Sequence, residues 1–136
     1  TLIAASQKQV EQFFPLTSCQ KKLARTYWPG PLSIVVNKHF AVRVPDEAHA
    51  RKLAKESATL LIATSANISG EKELFSLDPA AQPNRAAAIH YLQQHVDDVF
   101  DIGALPRRLP STVVECCDKT IIVHRQGSIV IAKKML

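Results

Sequence analysis

Two prolines flank a glycine in Trp28-Pro29-Gly30-Pro31, and no regular element can run through that tetrapeptide. Proline fixes φ and has no N–H to give, so a helix must stop before Pro29 and a central strand can begin only after Pro31. The flanking residues fit both demands. The stretch from Thr17 or Ser18 to about Tyr27 reads as a helix, and residues 32–37 read as a strand. Trp28 can bury a large area at the joint, which makes the tetrapeptide architectural rather than catalytic.

The same punctuation divides the rest of the chain. Ser6-Gln7-Lys8-Gln9 has the hydroxyl-to-Gln spacing of a capping box, so a short helix runs from there to about Phe14 and stops at Pro15. Residues 40–44 read as a second strand, with Lys38-His39 as a tight hairpin turn. Pro45-Asp46 opens a helix with Ala48, Leu53 and Ala54 for its buried side. Residues 60–64 read as a buried strand, and residues 71–84, with Pro79 and Pro83, as a surface loop. Residues 85–94 read as a helix with Ala88, Ile89 and Leu92 inward. Short strands are expected at 99–102, 112–115, 120–124 and 128–131. Alternating strands and helices argue an α/β fold. The close pairs near 32–44 and 112–131 argue a mixed sheet, and no linker or repeat divides residues 1–136 into more than one domain.

The chain has 136 residues, 46% of them apolar and 21% charged, which is an ordinary globular mixture large enough for a core. No apolar run is long enough to cross a membrane, and the first residues do not read as a secretory signal. Three cysteines, two of them adjacent at Cys116 and Cys117, make poor material for a disulfide framework, so reduced thiols in a cytoplasmic protein are expected. The net charge is +5; residues 1–68 carry 9 Lys/Arg against 4 Asp/Glu, and residues 69–136 are balanced at 8 each. A basic first half attracts phosphates, nucleotides or RNA, or is simply a solvated face. Histidines 39, 49, 90, 95 and 124 show no metal-ligand spacing, so no metal site is expected. Neither a Gly-Lys-Ser/Thr loop nor a GxGxxG is present.

Four places bear residues able to hold a ligand. Ala63-Thr64-Ser65-Ala66-Asn67-Ile68-Ser69-Gly70 comes after an apolar run and is dense in small hydroxyl and amide groups, which either cap a turn or bring donors to an anion. Arg43 sits between apolar neighbours in Val42-Arg43-Val44-Pro45. It either faces solvent by strand alternation or needs a carboxylate or phosphate partner. Pro110-Ser111-Thr112 opens a strand with two hydroxyls. Arg125-Gln126-Gly127 lies between two strands, as a hairpin turn or an anion contact.

These motifs, together with Trp28-Pro29-Gly30-Pro31-Leu32, Pro110-Ser111-Thr112-Val113-Val114 and Arg125-Gln126-Gly127-Ser128-Ile129, occur in the order in which the YrdC/Sua5 family carries them. The chain resembles that family over residues 1 to about 131. The resemblance implies a YrdC-like twisted mixed sheet flanked by helices, with a concave ligand-binding groove. It implies a threonylcarbamoyl-AMP synthase, a nucleotidyltransferase that joins L-threonine, bicarbonate and ATP with Mg²⁺ and releases pyrophosphate. The product serves threonylcarbamoyladenosine modification of tRNAs that read codons beginning with A. By the same resemblance Ser65, Asn67 and Arg125 bind ATP, while Arg43, Ala63 and Ser111 bind L-threonine. Gln126 replaces the family's proline, and Glu71-Lys72-Glu73 replace a hydroxyl residue that touches the nucleotide.

The family's N-terminal part, with its Lys-x-Arg motif, does not appear; Leu2-Ile3-Ala4-Ala5 resembles the segment just C-terminal to that motif. The chain thus reads as the C-terminal two-thirds of a synthase, either a fragment or a decayed or split member that is inactive for want of the motif, and Leu2 and Ile3 are expected at an exposed sheet edge. Two other functions fit the resemblance. One is a non-catalytic module that binds double-stranded RNA through the basic first half, although aromatics do not interleave with the basic residues there. The other is the carbamoyl-transfer domain of a hydrogenase-maturation protein, although no Cys-x-x-Cys motif occurs.

Overall fold

A computed structural model describes residues 1–118 and 120–131. The elements are β1 (Leu2–Ile3), α1 (Gln7–Phe13), α2 (Ser18–Tyr27), β2 (Leu32–Val35), β3 (Ala41–Arg43), α3 (Ala48–Glu56), β4 (Leu61–Ile62), a 3-10 turn (Pro83–Arg85), α4 (Ala86–Gln94), β5 (Thr112–Cys117) and β6 (Thr120–Arg125). The chain divides into two compact units. One comprises Thr1–Ala63 with the segment from Leu109 onward, and the other is Thr64–Arg108.

The first unit is built on a mixed sheet of order β4-β1-β3-β2-β5-β6. Strands β1 and β3 run parallel, as do β2 and β5; the remaining neighbours are antiparallel. Alternation sends Leu32, Ile34, Val42, Val44 and Val114 to one face, where α1, α2 and the connection between them cover it with Val10, Leu23, Ala24 and Leu16. Fully burying one such aliphatic side chain contributes about 1.5–3 kcal/mol.

The helices start where their caps require. Thr17 and Gln20 form a reciprocal capping box at α2. At α1 the Ser6 hydroxyl accepts from Gln9 N, but the Gln9 side chain reaches one residue further back, to the N–H of Ala5, at 2.7 Å. Gln9 also donates to Ala54 O at the end of α3. The Trp28–Pro29 peptide is cis, and the Trp28 indole donates to Leu32 O at 2.7 Å. A Cβ on Gly30 would stand 2.4 Å from Tyr27 O, so only glycine lets the backbone pass there.

Several expectations change. Strand β1 is not an edge: Leu2 pairs with Val42 on one side and Ile62 on the other. The edges are β4 and β6. Strand β4 is only two residues long, and Ile62 is 85% exposed, so the apolar run at 60–62 is a short edge strand rather than a buried one. The β2–β3 connection is not a two-residue turn at Lys38-His39. The Asn37 side chain instead accepts from the N–H groups of His39 and Phe40, an Asx-type turn that shortens both strands. Residues 99–102 and 128–131 find no ladder partner and are irregular.

The cysteines differ most. Cys19, in the first turn of α2, is bonded to Cys116 of β5, and Cys117 remains a free thiol. The sequence drew attention to the adjacent pair and hid the partner, and the cytoplasmic expectation loses the support it took from the cysteine count. Loss of solvent, with Glu115 and Asp118 nearby, raises the Cys117 pKa and keeps it a thiol. Among the described residues no helix is long and apolar enough to cross a membrane. In the second unit, α4 buries Ala88 and Ile89, and the buried Gln82 side chain donates to Ser76 O at 2.8 Å.

The bridge joins residues 97 apart. Opening it restores chain entropy to the unfolded state, so Cys19→Ser or thiol reduction is expected to cost roughly 2–4 kcal/mol. Urea denaturation with and without reductant measures this; an unchanged midpoint would contradict it.

Candidate functional site

The sheet face opposite α1 and α2 carries the polar residues. Alternation places Ser33 between core-facing Leu32 and Ile34, and Arg43 between core-facing Val42 and Val44. Ile34 pairs with Val42 and Val35 with Ala41, so the next step of that register sets Ser33 across from Arg43. On the other side of β2, Leu32 pairs with Thr112, and Pro31 O accepts from Thr112 N at 3.0 Å. Ser111 therefore arrives beside the start of β2.

Arg125, at the end of β6, folds back onto Ser111. Its Nε donates to Ser111 O at 3.0 Å and its Nη2 to Ser111 Oγ at 2.9 Å. A bulge helps to aim it: Val113 pairs with Arg125 but Val114 pairs with Val123, leaving His124 as the extra residue. The loop after Arg125 is tied down by the buried Thr112. Its Oγ1 accepts from Gly127 N (3.0 Å) and Ile129 N (3.1 Å) and donates to Ile129 O (2.7 Å). Every hydrogen-bonding capacity of that hydroxyl is in use. A Cβ on Gly127 would fall 2.1 Å from Pro110 O, so the loop closes this tightly only with glycine.

Arg43 has the opposite character. Its Nε is buried without a hydrogen-bond partner. Burial lowers its pKa, and the nearby positive charge of Arg125 lowers it further. Among the described residues neither guanidinium forms an ion pair. Arg125 on the Ser111 hydroxyl, with Arg43 near enough to feel its charge, makes a site for an anion, either carboxylate or phosphate. Along the same face lies a cleft of about 400 Å³, lined in part by Val35, His39, Glu115 and His124. There His124 Nε2 and Glu115 Oε2 are 2.7 Å apart.

Ala63 ends the first unit, its N–H donating to Thr1 O at 2.9 Å. Ser65 and Asn67 lie in the second unit and are brought together. The Ser65 hydroxyl bonds Asn67 Oδ1, and Asn67 Nδ2 donates to Ile68 O (3.0 Å) and Glu71 O (3.1 Å). These contacts make the turn-capping arrangement, completed by Gly70 at φ +83. The nearby Glu71 carboxylate lies 3.1 Å from Arg85 Nη1.

Sequence reasoning singled out Arg43, Ser111 and Arg125, and the structure gathers them. It passed over Ser33, whose hydroxyl lies 3.0 Å from that of Ser111. The available signal was a lone hydroxyl in an otherwise apolar strand.

The family model Sua5_yciO_yrdC, described as telomere recombination, matches residues 1–127. The chain belongs to that family. A Methanocaldococcus jannaschii protein provisionally named a threonylcarbamoyl-AMP synthase is 29% identical, over 98% of this chain and 64% of its own length. The threonylcarbamoyl-AMP synthase of Bacillus subtilis is 27% identical, over 85% of this chain and 35% of its own. Two structures of Pyrococcus abyssi Sua5 superpose on 93% of the chain. A double variant gives a TM-score of 0.76 at 26% identity, and a complex with L-threonine gives 0.72 at 27%; the chain spans 41% and 39% of them. The chain thus spans less than two thirds of these relatives. The mixed α/β architecture expected for a Sua5/YciO/YrdC chain is the one observed.

Gly127→Ala is expected to force the Arg125 loop off β5 and to destabilise the protein by about 1–3 kcal/mol, the range for overpacking. Chemical denaturation checks this, and a wild-type midpoint would refute the close approach.

Proposed function

We propose that the chain forms the substrate groove of a threonylcarbamoyl-AMP synthase. The observation that carries this reading is the unneutralised pair Arg43 and Arg125 about Ser111. The relatives' names and the L-threonine complex of Pyrococcus abyssi Sua5 support it. In this reading Arg43, Ala63 and Ser111 hold L-threonine, and Ser65, Asn67 and Arg125 hold ATP.

The threonine amine adds to bicarbonate and loses water to give a carbamate. A carbamate oxygen then attacks the α-phosphorus, the bond to the bridging β-phosphate oxygen breaks, and pyrophosphate leaves. Both reactants are anionic at the moment of attack. The protein's work is therefore to hold them close and to neutralise charge, which is what fixed guanidiniums do. Among the described residues no group of three or more His, Cys, Asp or Glu is placed to hold a metal. Mg²⁺ enters this reading only as the counterion of the triphosphate. The product would pass to a transferase acting on tRNA.

A desolvated, unpaired arginine costs stability until its anion arrives. Arg43→Met is therefore expected to leave the unliganded melting temperature equal or higher, while L-threonine binding weakens by about 10- to 100-fold, as loss of a charged hydrogen bond implies. Calorimetric titration of L-threonine, with ATP, Mg²⁺ and bicarbonate present, tests this. Undiminished threonine binding by the variant would overturn the assignment. Arg125→Ala is expected to cut threonylcarbamoyl-AMP formation by on the order of a hundredfold or more, measured as pyrophosphate release.

A further inference from the structure

Ser33 is fully buried, and among the described residues its hydroxyl has one hydrogen-bond partner, Ser111 Oγ at 3.0 Å. Either hydroxyl can supply the proton of this bond; donation by Ser33, the more deeply buried of the two, spares its proton the cost of having no acceptor. Ser111 Oγ also accepts from Arg125 Nη2 at 2.9 Å. A hydroxyl oxygen offers two lone pairs, and both are now occupied. What remains to Ser111 is its own O–H. Toward the groove it can donate and cannot accept.

We propose that Ser33 is a positioning residue that sets the specificity of the site: by fixing the direction of the Ser111 hydroxyl, it selects a ligand presenting an anionic oxygen acceptor there, the carboxylate of the amino acid, over one presenting an N–H donor. The inference rests on the reading that Ser111 touches threonine. Ser33 is fully buried and its hydroxyl meets Ser111, so its effect on a ligand runs through that serine. Without the Ser33 hydroxyl a lone pair of Ser111 is freed, and the serine can turn to meet either kind of group.

The test compares binding of L-threonine and L-threoninamide by titration calorimetry. The proteins are wild type, Ser33→Ala, Ser33→Cys, Ser33→Thr and Ser111→Ala, plus the Ser33→Ala/Ser111→Ala pair, each first checked for a cooperative melt. Wild type is expected to prefer threonine. Ser33→Ala and the near-isosteric Ser33→Cys narrow that preference by roughly 3- to 10-fold, the scale of one neutral hydrogen bond. Ser33→Thr, which keeps the hydroxyl, stays within about twofold of wild type, since it retains that bond. In the Ser111→Ala background the Ser33 substitution no longer changes the ratio. An unchanged ratio in both folded Ser33→Ala and Ser33→Cys, or an equal change with and without Ser111, overturns the proposal alone. No threonine binding by wild type, or full binding by Ser111→Ala, overturns the reading beneath it and the proposal with it.

Discussion

The parallel ladder between β2 and β5 is the interaction on which the rest of the first unit depends. Leu32 pairs with Thr112 and Ile34 with Val114, closing a loop that contains β3, α3, β4 and the whole second unit. On the core side this ladder lets Leu32, Ile34 and Val114 pack under α2. On the other side it sets Ser111 and Arg125, carried by β5 and β6, beside Ser33 and Arg43 from β2 and β3. Parallel pairing needs a long crossover, and the crossover here is used to carry further structure. The Cys19–Cys116 bridge pins α2 to the same strand covalently.

The polar face is organised around an imbalance of charge. Arg125 is well held, with its Nε and Nη2 bonded to Ser111, while Arg43 keeps an idle buried Nε and feels Arg125 as a like charge. A fold selected for stability alone would not keep that arrangement, because burial without a counterion disfavours the charged form. Functional sites are where such local costs are tolerated. The compensation lies in the surroundings: Thr112 commits its whole hydroxyl to the loop after Arg125, and the aliphatic layer beneath is fully buried.

Local chemistry was legible in the sequence where one segment settles the outcome. Thr17 or Ser18 marked the start of α2, Pro29-Gly30-Pro31 marked its end, and α4 followed its apolar spacing. Contacts between distant segments were not legible. Leu60-Leu61-Ile62 is apolar enough for a buried strand, but its neighbours decide burial, and β4 has a partner on one side only. Residues 99–102 have β-favouring side chains and no strand beside them. In 128–131, Ile129 bonds to the Thr112 side chain where a ladder was expected. Arg43, Ser111 and Arg125 were visible as groups able to hold an anion, but bland readings fitted each of them as well, and only the family resemblance favoured ligand roles. Ser33 was not, since a serine in a strand means little until its partner 78 positions away is known. Cys19 was missed for the same reason.

The discontinuity of the first unit has a consequence for how the chain is made. Its strands β1 to β4 leave the ribosome well before Leu109, because all of Thr64–Arg108 is synthesised in between. During that interval β2 has β3 on one side and nothing on the other, and its apolar Leu32 and Ile34 lack the cover of Val114. A nascent sheet with an open central strand invites pairing with other chains. The first unit can therefore complete its sheet only after β5 and β6 have followed the second unit out of the ribosome.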